Sequence, residues 1–142
     1  KTQSSIQYLA FLADYDLLFD TALGMYDYEL AKAVARNSQK DPKSYLPLLK
    51  KLSSLPNYMG RYEVDVTLKR WEYALKNLAM VTPQDWLEVM GENGGEHFDQ
   101  CMQLVKEHNL HELGLTLFPN DGEQRRRIMI SLGHRLLEER NG

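Results

Sequence analysis

Between residues that cap or stop helices, the apolar residues of this chain recur at intervals of three and four, a rhythm that narrows the possible folds more than any other feature. No stretch alternates apolar and polar residues over the length of a strand, so the chain is expected to be all-α. A first helix is predicted over residues 5–23, with Ile6, Leu9, Ala10, Ala13 and Leu17 on one face, a break near Asp14 and Gly24 as its left-handed cap. Asp27 caps a second helix, whose stripe is Leu30, Ala31, Val34 and Ala35. Asp41-Pro42 opens a third, with Tyr45, Leu48, Leu49 and Leu52 facing inward and Leu55-Pro56-Asn57 ending it. Within it Pro47 deletes an intrahelical hydrogen bond and predicts a kink or a tightened first turn.

Val64, Leu68, Trp71, Leu75 and Leu78 form a seam of two heptads, too short for a coiled coil, and predict one long core helix over residues 61–81. Thr82-Pro83 caps a short helix, and the glycines of residues 91–95 read as a flexible turn. Phe98, Cys101, Met102 and Val105 mark the next helix; Leu110, Leu113, Leu117 and Phe118 mark another, stopped by Pro119. A last helix over residues 122–139 carries Ile128, Met129, Leu132 and Leu136 on its apolar side.

Helix pairs of about 34 residues stacked along an axis make tetratricopeptide solenoids, and about four such pairs fit this length. The expected fold is an all-α, tetratricopeptide-like helical-repeat solenoid, with residues 1–142 as a single helical-repeat segment. The absent initiator methionine and the apolar helix at the very end predict a segment cut from a larger protein, that helix being half of a hairpin. With 43% hydrophobic and 26% charged residues, the balance is that of a folded protein and excludes a disordered tail. The formal charge of -3 is divided unevenly: residues 1–71 hold ten Lys and Arg against eight acids, and residues 72–142 hold seven against twelve. Neither half has the strongly basic surface by which a protein displaces counterions from nucleic acid. A single cysteine, Cys101, cannot form an internal disulfide and points to a reducing compartment. No run approaches the roughly 20 apolar residues of a membrane helix, so no membrane partner is expected. The expected location is cytoplasmic, with a nuclear pool as the alternative.

Candidate chemistry is sparse, and neither a catalytic residue, a metal site nor a cofactor is expected. His108 and His111, with Glu107 and Glu112 beside them, have a spacing that could present two metal ligands, but zinc needs three or four, and solvated turn residues are the preferred reading. His97 and His134 have no evident partners. Asp14, Asp16 and Asp20 lack the glycine-turned loop of a calcium site, and Gly94-Gly95 lacks the lysine of a phosphate loop. Cys101 stands at an apolar helical position as a small hydrophobe. All eight tyrosines precede residue 74; Tyr45 and Trp71 read as core, whereas Tyr58 and Tyr62 could be core or a stacking surface for single strands. Arg125-Arg126-Arg127 spreads around a helix and reads as a solvated end. Lys40, Lys43, Lys50 and Lys51 are the best feature of a direct nucleic-acid-binding reading.

The strings Ala13-Asp14-Tyr15, Leu23-Gly24-Met25-Tyr26-Asp27 and Ser38-Gln39-Lys40-Asp41-Pro42-Lys43-Ser44-Tyr45-Leu46-Pro47 resemble the largest scaffold subunit of the Elongator complex. The likeness continues through Leu68-Lys69-Arg70-Trp71-Glu72-Tyr73-Ala74 and Leu104-Val105-Lys106-Glu107-His108-Asn109-Leu110; residues 82–97 carry no part of it. The resemblance implies a non-catalytic helical scaffold in a complex that modifies the wobble uridine of tRNAs. It implies the other Elongator subunits and a second copy of the scaffold as partners, with tRNA engaged through the whole complex. A vesicle-coat or other solenoid adaptor is the alternative. The dimer or partner interface expected from the last helix has Ile128, Leu132 and Leu136 at its centre and Arg125 or Arg135 at its rim.

Overall fold

The computed structural model describes residues 14–120 and 122–141, and divides into two compact units, Lys1–Leu68 and Lys69–Gly142. Every regular element among the described residues is helical, as the spacing predicts. The first unit contains α1 (residues 14–24), α2 (Tyr28–Asn37), α3 (Pro42–Ser54) and α4 (Asn57–Thr67). Two predicted caps form: the Asp27 carboxylate accepts from the Leu30 N–H at 3.0 Å, and that of Asp41 from the Lys43 N–H at 3.0 Å. Pro42 follows in the first turn of α3, where the Ser44 N–H reaches back only three residues to the Asp41 carbonyl, the tightened turn expected ahead of Pro47.

The core of this unit joins Phe19, Ala22 and Leu23 of α1 to Ala31 and Ala35 of α2, Tyr45, Leu49 and Leu52 of α3, and Val64 of α4. Two sequence expectations change here. Leu17 and Leu30 are exposed, because the faces of α1 and α2 turned inward are those of Phe19 with Leu23 and of Ala31 with Ala35. The other members of the first stripe, Ile6, Leu9, Ala10 and Ala13, lie outside the described residues. Gly24 is still helical, and the left-handed residue that ends α1 is Tyr26, at φ 61°. The Tyr26 N–H donates to Leu23 O and the Asp27 N–H to Ala22 O, the paired bonds of a Schellman ending. Tyr26 tolerates that backbone because its hydroxyl is tied to the fully buried Asp65 carboxylate, 2.8 and 3.0 Å from its two oxygens. Where α3 and α4 meet, a Cβ at Gly60 would stand 3.0 Å from the Leu52 carbonyl oxygen, so the close approach depends on glycine.

The second unit contains α5 (Trp71–Met80), α6 (Pro83–Met90), a 3₁₀ turn (Glu92–Gly94), α7 (His97–His108), α8 (His111–Leu117) and α9 (Gly122–Asn141). The long helix predicted over residues 61–81 is therefore two helices, α4 and α5, with Lys69 left-handed at φ 59° between them. Glycine, proline and asparagine are all absent from Leu68-Lys69-Arg70, so the sequence carries no stop signal there. Packing of each helix within its own unit outweighs the helical propensity of the joint.

In this unit α5 packs on α7 and α8, and α9 packs on α7 and α8, a pattern in which each element meets near neighbours in sequence. Ala74, Leu75 and Leu78 of α5 and Phe98, Cys101, Met102, Leu104 and Val105 of α7 are buried. Thr82 caps α6 by accepting from the Asp85 N–H at 3.1 Å. The segment after α6 is pinned by Trp86, a buried side chain that the apolar spacing did not single out; its indole N–H donates to Gly95 O at 3.0 Å. Asn109 ends α7 in the left-handed conformation, at φ 57°.

Candidate interaction surface

The reactive side chains are built into the fold. Cys101 is buried, and burial pushes its thiol up to about 12, which leaves a small hydrophobe without thiolate character. The histidine expectations change. His97 sits against the Leu78 carbonyl and meets Trp86 edge-on at 5.7 Å, so it has partners after all. His108 stacks on Trp71 at 3.9 Å with the rings 9° from parallel. His111 is 2% exposed, so it is a core residue and not a solvated one, with Nε2 2.9 Å from Ser131 Oγ on α9. Among the described residues no three His, Cys, Asp or Glu converge as metal ligands would, and no helix is long and apolar enough to cross a membrane.

Burial, followed by the positive charges of Arg135 and Lys106, lowers the His111 pKa from its ordinary 6.5. The unfolded chain then takes up a proton as pH falls through about 6.5 while the folded chain does not, so stability present above that pH is lost below it. Wild type should lose more melting temperature than His111→Gln between about pH 7 and 5. Parallel losses in calorimetry would contradict the burial of a neutral imidazole.

Of the surface residues read from the sequence, Tyr62 is buried and Tyr58 is 36% exposed beside Arg61, whose guanidinium carbon lies 5.9 Å from its ring. Lys40 pairs with Asp16, and Lys51 lies 3.9 Å from Glu63, while Lys43 and Lys50 are exposed. Arg127 is held by Asp99 at 2.9 Å, and Arg125 donates to Leu115 O at 3.0 Å.

On α9 the structure separates the residues expected at the interface. Ile128 is 0% exposed and packs on α8, where a Cβ at Gly114 would stand 3.3 Å from Ile128 Cδ1 and 3.3 Å from Val105 Cγ2. Leu132 and Arg135 are half-buried on the same side as Ile128, Arg135 reaching Glu139 at 3.2 Å. Leu136 is 53% exposed, and Arg125 is exposed. Successive helical residues step about 100° around the axis. Met129, Ile130, Gly133, Leu136 and Leu137 consequently share the outer side, and the four large residues are 50–56% exposed. Met129 thus belongs with the outer stripe and not with Ile128. A Cβ at Gly133 would meet nothing within 4 Å, leaving open ground in the middle of the stripe. The arrangement offers a docking ridge, with no reactive group among the apolar side chains.

A family model described as ELP1 alpha-solenoid matches residues 1–52. Elongator complex protein 1 of Oryctolagus cuniculus is 36% identical over 137 residues, 96% of this chain, and that of Arabidopsis thaliana is 32% identical over 139 residues, 97% of this chain. The Saccharomyces cerevisiae relative is 31% identical over 121 residues, 85% of this chain. The chain belongs to the Elongator complex protein 1 family. It spans 9%, 10% and 8% of the lengths of those three relatives. The helical-repeat fold expected from the sequence agrees with the α-solenoid description of the Elongator complex protein 1 family.

Proposed function

We propose that this chain is a non-catalytic scaffold segment of the Elongator complex, which supports wobble-uridine modification of tRNA through subunit assembly and homodimerisation. The observation that carries the reading is the identity to Elongator complex protein 1 from animal, plant and yeast over 85–97% of this chain. It favours Elongator over a vesicle-coat adaptor. The burial of Cys101 and His111 and the pairing of His97 and His108 with neighbouring groups support a structural role for the residues that could otherwise react. The same reading assigns the chain to the cytoplasm, with a nuclear pool, and leaves tRNA to the complex as a whole.

Assembly is proposed to use the outer stripe of α9, centred on Leu136 and Leu137, in place of the Ile128-centred patch expected from the sequence. Exposed apolar ground of this kind marks contact surfaces. Mass spectrometry of proteins retained by the tagged full-length protein tests the assignment: Elongator subunits are expected, and coat subunits in their place would refute it.

A further inference from the structure

The glycine turn after α6 is a motif that the scaffold reading leaves unused, and it carries a reactive dipeptide, Asn93-Gly94. We infer that Asn93 is a site of spontaneous deamidation, held in check by the turn that presents it. Asn93 is exposed, and the backbone around it is fixed. Glu92–Gly94 form a 3₁₀ turn between Gly91, at φ 75° and ψ 174°, and Gly95, at φ 78° and ψ -178°. Such a conformation is essentially confined to glycine. Gly94 is fixed for another reason, because a Cβ there would stand 2.5 Å from Met90 Cβ. The fold therefore requires, directly after Asn93, the residue whose missing side chain leaves its backbone nitrogen open to the Asn93 amide.

The reaction needs only water. The Gly94 nitrogen gives up its proton to hydroxide and bonds to Asn93 Cγ, while Nδ2 takes up a proton and leaves as ammonia. The cyclic imide that remains is opened by water at either carbonyl. One product is aspartate; the other is isoaspartate, in which the main chain runs through Cβ and Cγ and is longer by a methylene. In the folded turn the first step is blocked, because the Gly94 N–H donates to Gly91 O at 3.1 Å and must be released before its nitrogen can reach Cγ. Release is resisted at the next residue, where the indole N–H of the buried Trp86 donates to Gly95 O at 3.0 Å. Conversion therefore proceeds through the open turn, at a rate set by the open population. Isoaspartate cannot rebuild the closed turn, since the longer main chain displaces Gly94 and Gly95 and the new carboxylate falls between Glu92 and Glu96. An opening that reacts is thereby made permanent. The inference stands apart from the Elongator reading and from self-association, because neither the relatives nor the α9 stripe enters it.

The test is peptide mapping by mass spectrometry, with fragmentation that separates isoaspartate from aspartate, during incubation at mildly alkaline pH. The 142-residue chain is compared with a synthetic peptide of residues 88–98 and with two variants that loosen the turn. The peptide is expected to convert fastest and wild type slowest. Trp86→Phe deletes the bond to Gly95 O and should speed conversion on the order of fivefold, the change in open population that one net hydrogen bond gives. Gly95→Ala strains the turn without touching the core, since a Cβ there meets nothing within 4 Å, and should speed it on the order of tenfold. Matching melting curves for Gly95→Ala and wild type confirm that the rest of the unit is intact. Asn93→Gln, whose longer side chain closes the ring far more slowly, should stay unmodified. Wild type converting as fast as the peptide, or Gly95→Ala converting no faster than wild type, would overturn the protective role of the turn. Absence of isoaspartate at position 93 from every folded chain would overturn the site itself.

Discussion

Ile128→Ala is expected to lower the stability of the unit formed by residues 69–142 by about 3 kcal/mol, within the range for truncating a well-packed buried aliphatic side chain. Ile128 is 0% exposed and fills the space that Gly114 leaves beside Val105, so its removal opens a cavity whose walls are helix backbones that close only in part. Both tryptophans, Trp71 and Trp86, lie in this unit, which lets tryptophan fluorescence follow its urea unfolding separately. The midpoint should fall without a change in slope. A loss below about 1 kcal/mol would mean that Ile128 is not the core residue its burial indicates.

In the other unit the largest expected effect is at Asp65, where alanine should cost about 3 kcal/mol. The carboxylate is 0% exposed and holds the hydroxyl of Tyr26, whose left-handed backbone ends α1. Arg61 lies over the Tyr26 ring, 4.8 Å from its centroid, so a Tyr26 released from Asp65 also disturbs that stacking. Tyr26→Phe deletes the hydroxyl alone and should cost about 1–1.5 kcal/mol. Combined, the two changes should cost less than their sum, because they break the same bond. The readout is far-ultraviolet circular dichroism during urea unfolding, and strict additivity would contradict the proposed role of Asp65 as the anchor of Tyr26.

Those two residues also show what was legible in the sequence. Helix starts were readable because Asp27, Asp41 with Pro42, and Thr82 with Pro83 act through their own backbone neighbours, and the capping bonds form as expected. The ends of α3 and α8, next to Pro56 and Pro119, were readable as well, but those of α1, α2 and α4 were not, because Tyr26, Gln39 and Lys69 adopt the left-handed conformation usually reserved for glycine. That conformation costs roughly 1–2 kcal/mol for such residues, and it is offset by tertiary contacts, as between Tyr26 and Asp65, that no local pattern encodes. The same limit affects the faces. On α9 the apolar residues cover about 200° of the circumference, so spacing alone could not separate the buried Ile128 from the exposed Met129 and Leu136. The burial of His111 is not written in its own segment, where it stands by the turn at Asn109 with Glu112 beside it, because the space it fills is closed by Ser131 and α9, 20 residues further along.

The claim that α9 supplies an assembly surface is tested most directly by light scattering coupled to size exclusion, run across concentrations on wild type and on Leu136→Asp. Leu136 is 53% exposed, so the substitution should leave the helical signal intact while placing a charge in the stripe. The apparent mass of wild type should rise toward twice 16.5 kDa with concentration, and the variant should stay at 16.5 kDa. A wild type that remains at 16.5 kDa at every concentration, or a dimer unaffected by Leu136→Asp, would contradict it.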